Sequence, residues 1–131
     1  CKRYGVNIMA VALVAIASND KIASVSDGGT TTDTLYTSAG VTTQINQITC
    51  VNTSTTVAQW VSFWILPSGV AASTVAPVWE QTIPVSAGAG IDATVIIHGL
   101  LGHIIPAGGT LKCSTFTTNV VTVNASGISV S

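Results

Sequence analysis

Apolar and polar residues alternate along much of this chain with a period of two, the spacing of strands that turn one face inward. Clusters of Gly, Ser, Asn and Pro interrupt the alternation at short intervals, and no stretch carries a capped amphipathic helical period. The pattern predicts about eight strands. Ile8–Ala17 is an apolar run, read as a strand or as an arm reaching a neighbour. Ser18–Asp20 and Ser26–Gly29 are turn clusters, Leu35–Thr37 is a short strand, and Ser38–Gly40 is a tight turn.

In the next strand, Val41–Asn52, Val41, Thr43 and Ile45 share one parity while Ile48 and Cys50 share the other. Keeping all of them inward requires one extra residue near Asn46-Gln47, which predicts a β-bulge. Asn52–Thr56 then reads as the polar turn of a hairpin. It leads into the most apolar stretch, Val57–Gly69, VAQWVSFWILPSG. There Val57, Gln59, Val61, Phe63 and Ile65 fall on one face, and Ala58, Trp60, Ser62, Trp64 and Leu66 on the other. Both faces are largely apolar, so this strand is expected to be covered by the core on one side and by the N-terminal arm or another subunit on the other. Buried indole N–H groups need acceptors, which places Trp60 and Trp64 near polar backbone or an interface.

Pro67–Ala76 is a loop of small residues. Val78–Val85 contains Pro84, which marks a sheet edge. Ser86–Gly90 is a turn and Ile91–Ile97 a strand. HGLLGH leads through Ile104-Ile105 to the Pro106–Gly109 turn. Thr110–Thr117 and Val120–Val130 close the chain, joined at Thr118-Asn119. Strands at this spacing predict an all-β fold: a single antiparallel β-sandwich, jelly-roll-like, with residues 1–20 as an N-terminal arm or strand and 21–131 as the sandwich domain.

Composition changes the picture in one respect. A chain of 131 residues is long enough for one domain with a substantial core. Charged residues make up only 7%, and the mean hydropathy is +0.61. A surface so poor in charge suits a subunit whose faces are covered by other subunits. The net charge of −1, without a basic stripe, gives no nucleic-acid groove.

Cys1, Cys50 and Cys113 are odd in number and lack CxxC spacing. Cys50 and Cys113 lie in strands, where a free cysteine acts as a small buried hydrophobe; a bridge between them requires neighbouring strands. Lys2-Arg3, the run from Ile8 and Ala15-Ile16-Ala17 imitate a secretory signal, but the run is too short to span a bilayer as a helix. Met9 offers an internal start that would leave the first eight residues as an extension, and Cys1 offers the lipid-bearing position of a mature lipoprotein.

Candidate chemistry is sparse. His98 and His103 would need Asp92, Cys113 or Glu80 to complete a metal site, and a spacing of five on a loop fixes no ligand geometry, so they read as ordinary loop histidines. There is no G-x-S-x-G elbow, and Ser68-Gly69 and Ser126-Gly127 read as turns. The five acids are scattered, which disfavours a paired-carboxylate site. Asp27-Gly28-Gly29 and Asp33 lack the alternating oxygen ligands of a calcium loop. Asn52-Thr53-Ser54 and Asn124-Ala125-Ser126 match glycosylation sequons. Trp79 beside Glu80 is the one aromatic placed to stack on a sugar, with core or interface packing the commoner fate of such a residue.

From Asp33 onward, DTLYTSAGVTTQINQITCVNTS, WVSFWILPSG and IPVSAGAGIDATVIIHGLLGHIIPAGGTLKCSTFTTNVVTVNASGISV resemble a family of small virion proteins of tailed bacteriophages. The shared features are an Ile-x-x-Ile strand entering an Asn-Thr/Ser turn, a strand ending in Pro-Ser-Gly, a Gly-Leu…Pro-Ala-Gly turn and a final Asn-x-Val-type strand. They cover about three quarters of the chain. The first twenty residues depart from the pattern, and Trp60 and Trp64 are bulkier than the aliphatics usual there.

The resemblance implies a non-enzymatic capsid decoration or head-fibre subunit, located in the virion. It would dock on the major capsid protein or other virion proteins as a homo-oligomer, expected as a trimer, without cofactor, nucleic acid or membrane. Alternatives are a tail accessory or adaptor protein, and an extracellular filament or lipoprotein subunit that uses its N-terminal strand for assembly. The least favoured reading is a sugar-binding module or hydrolase. The residues expected at interfaces are Ile8, Val11, Leu13, Trp60, Trp64 and Trp79.

Overall fold

The computed structural model describes residues 11–23, 32–88 and 93–130. Among these residues nine strands form two antiparallel sheets: β1 (Val11–Lys21), β2 (Asp33–Thr37), β3 (Thr42–Asn52), β4 (Gln59–Leu66), β5 (Trp79–Ile83), β6 (Ala93–Ile96), β7 (Ile104–Ile105), β8 (Thr110–Thr115) and β9 (Val121–Val130). One sheet has the order β1-β9-β3-β6, with β7 also pairing β3; the other has the order β2-β8-β4-β5. The expected all-β antiparallel sandwich is the observed architecture.

Chain order and sheet order are interleaved. β1, β3, β6 and β9 lie in one sheet, and β2, β4, β5 and β8 in the other. Asn52–Thr56 therefore does not close a hairpin, as its polar turn residues suggested. It is an arch that carries the chain from one sheet to the other, as does the Thr118-Asn119 connection. A polar turn signals a reversal but carries no information on which sheet receives the next strand.

Buried amides hold these crossings. Asn52 Nδ2 donates to the carbonyls of Val57 (3.2 Å) and Pro84 (2.9 Å), and its Oδ1 accepts from Ser54 N–H at 2.9 Å. The fully buried Gln59 donates to Thr117 Oγ1 at 3.0 Å and accepts from Thr117 N–H at 2.8 Å. Buried polar groups matched in this way avoid the desolvation cost of an unpaired amide.

The core lies between the sheets, where Ile45, Ile48, Cys50, Val121 and Val123 face Val61, Phe63, Leu111 and Cys113. The bulge expected in the third strand is present: the β3–β9 register shifts between Ile45 and Gln47, leaving Asn46 and Gln47 exposed and both Ile45 and Ile48 buried. A second bulge faces it across β9, where the β1–β9 register shifts between Ala15 and Ala17.

Gly127 lies between the two bulges, inside β9 and not in a turn as the Ser126-Gly127 pair suggested. A Cβ there would stand 2.2 Å from the Gln44 carbonyl oxygen and 2.9 Å from Ile16 Cδ1. The missing side chain lets the bulged Ile16 cross β9 into the core. β5 is an edge strand that ends just before Pro84, as the proline predicted.

Candidate functional site: the two outer faces of the sandwich

In antiparallel pairs, directly opposed residues point to the same side of the sheet. The registers therefore show what each sheet presents outward. On the four-stranded sheet, β4 turns Trp60, Ser62, Trp64 and Leu66 away from the core. The chain itself covers the far end of this row. The loop after Leu66 folds back through a 3₁₀ turn at Ala72–Thr74, packs Ala72 on Trp64 and Leu66, and offers the Val75 carbonyl to Trp64 Nε1–H at 3.1 Å. Trp64 is left 2% exposed.

The expectation that the N-terminal arm or a second subunit covers this face is corrected for Trp64, because a local loop supplies both the apolar contact and the acceptor. Trp60 differs. It is 37% exposed, with its ring 6.2 Å from that of Phe116, which is itself 50% exposed. These two aromatics stand on the surface.

Between the covered and open ends runs a polar row. Ser62 opposes Glu80 and Ser114, and Ser62 Oγ–H donates to Glu80 Oε1 at 3.1 Å. The buried Ser114 hydroxyl has no hydrogen-bond partner among the described residues.

Trp79 is not on this outer face. It opposes the buried Phe63 and lies over Gly99, where a Cβ would fall 2.3 Å from the indole ring, and its Nε1–H donates to Gln81 Oε1 at 3.0 Å. Trp79 closes the side of the sandwich between β5 and the His98–Leu100 turn.

The five-stranded sheet presents a different surface. Leu13 opposes Ile128, which opposes Gln44, which opposes Ile104; Val11 opposes Val130, which opposes Thr42. The outward row thus combines aliphatic side chains from β1, β9 and β7 with one amide and one hydroxyl. Leu13 is 89% exposed, Val11 61% and Ile104 47%. β1 ends the sheet, with β9 as its only neighbour in it among the described residues.

Val11 and Leu13 were expected interface residues and are exposed; Ile8 lies outside the described residues. Ile104, Ile128, Val130 and Phe116 were not among the expected residues, though they share these outer faces. Parity contained the signal for two of them, since Ile128 and Val130 alternate against the inward Val121 and Val123. Beyond this row the same face sinks into a hollow of about 370 Å³ beside the bulges, lined by small and polar side chains such as Ala15, Gln47, Thr49 and Asn124.

The titratable groups considered for chemistry are not brought together. His98 and His103 are exposed, whereas Cys113 is in the core on β8. Among the described residues no three His, Cys, Asp or Glu side chains are grouped to hold a metal ion; Asp27 and Asp92 lie outside them. Cys50 and Cys113 are free and buried, on strands of opposite sheets. Burial pushes the Cys50 thiol up to about 12. It also raises Cys113 well above its ordinary value, with smaller contributions from Cys50 and Asp33. Both are protonated core residues.

No protein-family model and no curated protein sequence matches the chain. Among solved structures, 95% of the chain aligns with infectious bursal virus derived T=1 particles at 13% identity and a TM-score of 0.47. The same share aligns with the VP2 subviral particle of infectious bursal disease virus at 14% identity and a TM-score of 0.48. The chain spans about a third of those proteins' length, 32% and 33%. Likenesses this distant fix neither activity nor partner.

Proposed function

We propose that this chain is a non-enzymatic structural subunit of a bacteriophage virion. In this reading it is a capsid decoration or head-fibre protein that docks on the major capsid protein as a closed homo-oligomer, a trimer. The observation that carries the reading is the uncharged aliphatic row of Val11, Leu13, Ile128, Val130 and Ile104 beside the edge of β1, which is unpaired among the described residues.

Isolated exposed aliphatics are ordinary, but a contiguous row along an unpaired edge is a surface that soluble monomers avoid and subunits use. The 7% charged composition extends the same chemistry over the rest of the chain. The family resemblance of residues 33–131 supplies the virion context, and a closed symmetric assembly covers such surfaces.

Two measurements test the reading. The solution mass should be at least twice 13.3 kDa, and three times that mass in the trimeric form. Purified virions of the source phage should contain the chain in a fixed ratio to the major capsid protein. A stable monomer that never associates with particles would overturn the proposal.

A further inference from the structure

We propose that the leading part of β1, Val11–Ala15, pairs antiparallel with the same segment of a second copy, about a two-fold axis through Leu13. The inference rests on the reading of the chain as an assembling subunit, and adds which edge is used, by what partner and with what register.

β1 is an edge strand eleven residues long, but only part of it can accept another strand. From Ile16 onward it is irregular: register shifts fall between Ala15 and Ala17 and between Ala17 and Asp20, and Asn19 has a left-handed φ of 51°. Bulges of this kind turn an edge away from further pairing. Among the described residues Val11–Ala15 has no such protection. Its register with β9 is continuous, from Val11 opposite Val130 to Ala15 opposite Ser126, and it contains neither proline nor charge.

The segment VALVA is also complementary to itself. Antiparallel pairing about Leu13 sets Val11 against Ala15, Ala12 against Val14, and Leu13 against its own copy. Each larger side chain other than Leu13 meets an alanine. The first charged residue of β1 is Asp20, beyond the paired segment, so a second copy brings no like charges together. A partner selected by charge would find nothing to bind here.

Opposed residues keep the same facing, so Val11, Leu13 and Ala15 of both copies lie on the outer face. The two rows ending at Ile128 and Ile104 then join into one apolar band across the axis. The isolated contact is smaller than the roughly 800 Å² per partner of a stable dimer, so it acts as one contact among several. A two-fold contact does not close a ring of three; in a trimeric assembly it joins one trimer to the next.

The test uses the full chain with Cys1→Ser, so that Leu13→Cys supplies the only exposed thiol among the residues considered. Opposed Cα atoms in an antiparallel pair stand about 4.5–5.5 Å apart, within disulfide range. Mild oxidation of Leu13→Cys should give a covalent dimer, whereas Ala39→Cys, at an exposed turn, should not. Leu13→Lys places like charges opposite each other at the axis. Sedimentation should show self-association weakened by about ten-fold, with an unchanged circular dichroism spectrum because Leu13 packs on no core residue.

If the chain forms oligomers or binds particles, yet Leu13→Cys does not cross-link and Leu13→Lys changes nothing, the edge pairing is wrong and the assembly reading survives. If the chain stays monomeric at every concentration and never joins particles, both are overturned.

Discussion

Two outer faces of one sandwich carry apolar side chains, and they are treated differently. On the four-stranded sheet, the Pro67–Val78 segment covers Trp64 and Leu66, bonding the indole to Val75 and tying Val78 N–H to the Phe63 carbonyl at 2.7 Å. On the five-stranded sheet, Leu13, Val11 and Ile104 are exposed beside a strand edge that is unpaired among the described residues. The first surface is satisfied within the chain by a loop that follows directly in sequence, so little loop entropy opposes its closure. The second lies at the end of a sheet, where only another strand can satisfy both backbone and side chains. An apolar outward residue is therefore a sign of assembly only when the chain has not covered it.

Substitutions at the two faces should separate these roles. The largest effect is expected at Trp64→Ala, which empties the space under the Ala72 loop and should cost about 3–5 kcal/mol in urea unfolding. A loss confined to self-association would instead make this face an interface. Gly127→Ala forces a Cβ against the Gln44 carbonyl in the strand that supports β1, and should cost about 1–3 kcal/mol, with β1 amides exchanging faster than those of β4.

The core shared by both faces should respond to alkali. With Cys50 raised from 9.0 to about 12, and Cys113 also raised, both thiols ionise in the unfolded chain first. Stability is then fully retained below about pH 9 and falls as the pH rises toward 12, by on the order of 1 kcal/mol per pH unit for each thiol. A flat profile between pH 8 and 11 would show that the thiols are reached by solvent. Trp60→Ala, removing a half-exposed ring from Phe116, should cost only about 1 kcal/mol of folding stability. Its effect on binding to particles decides whether that end of the face is a docking surface.

The bulge in β3 was legible because alternation is strict: Ile45 and Ile48 can both face inward only with an extra residue between them. Pro84 at a sheet edge was legible because proline lacks the N–H that an interior strand needs. The two-sided apolar character of β4 was legible. The cover over Trp64 was not, since Pro67–Ala76 reads as a loop of small residues with no direction.

The sequence by itself determined most of the strands and their faces, the bulge and the scarcity of charge, because these follow from backbone geometry and side-chain periodicity acting over a few residues. The Ser18–Asp20 turn cluster instead continues β1, and Ile104-Ile105 pairs as β7. Only the tertiary structure decided that Asn52–Thr56 bridges two sheets, that Gly127 admits Ile16 between strands, that Trp64 is covered from within and that β1 has β9 as its one sheet neighbour among the described residues. Those outcomes depend on which strands become neighbours across the whole chain. That pairing is set by burying the sum of all inward faces at once, and no local window of residues contains it.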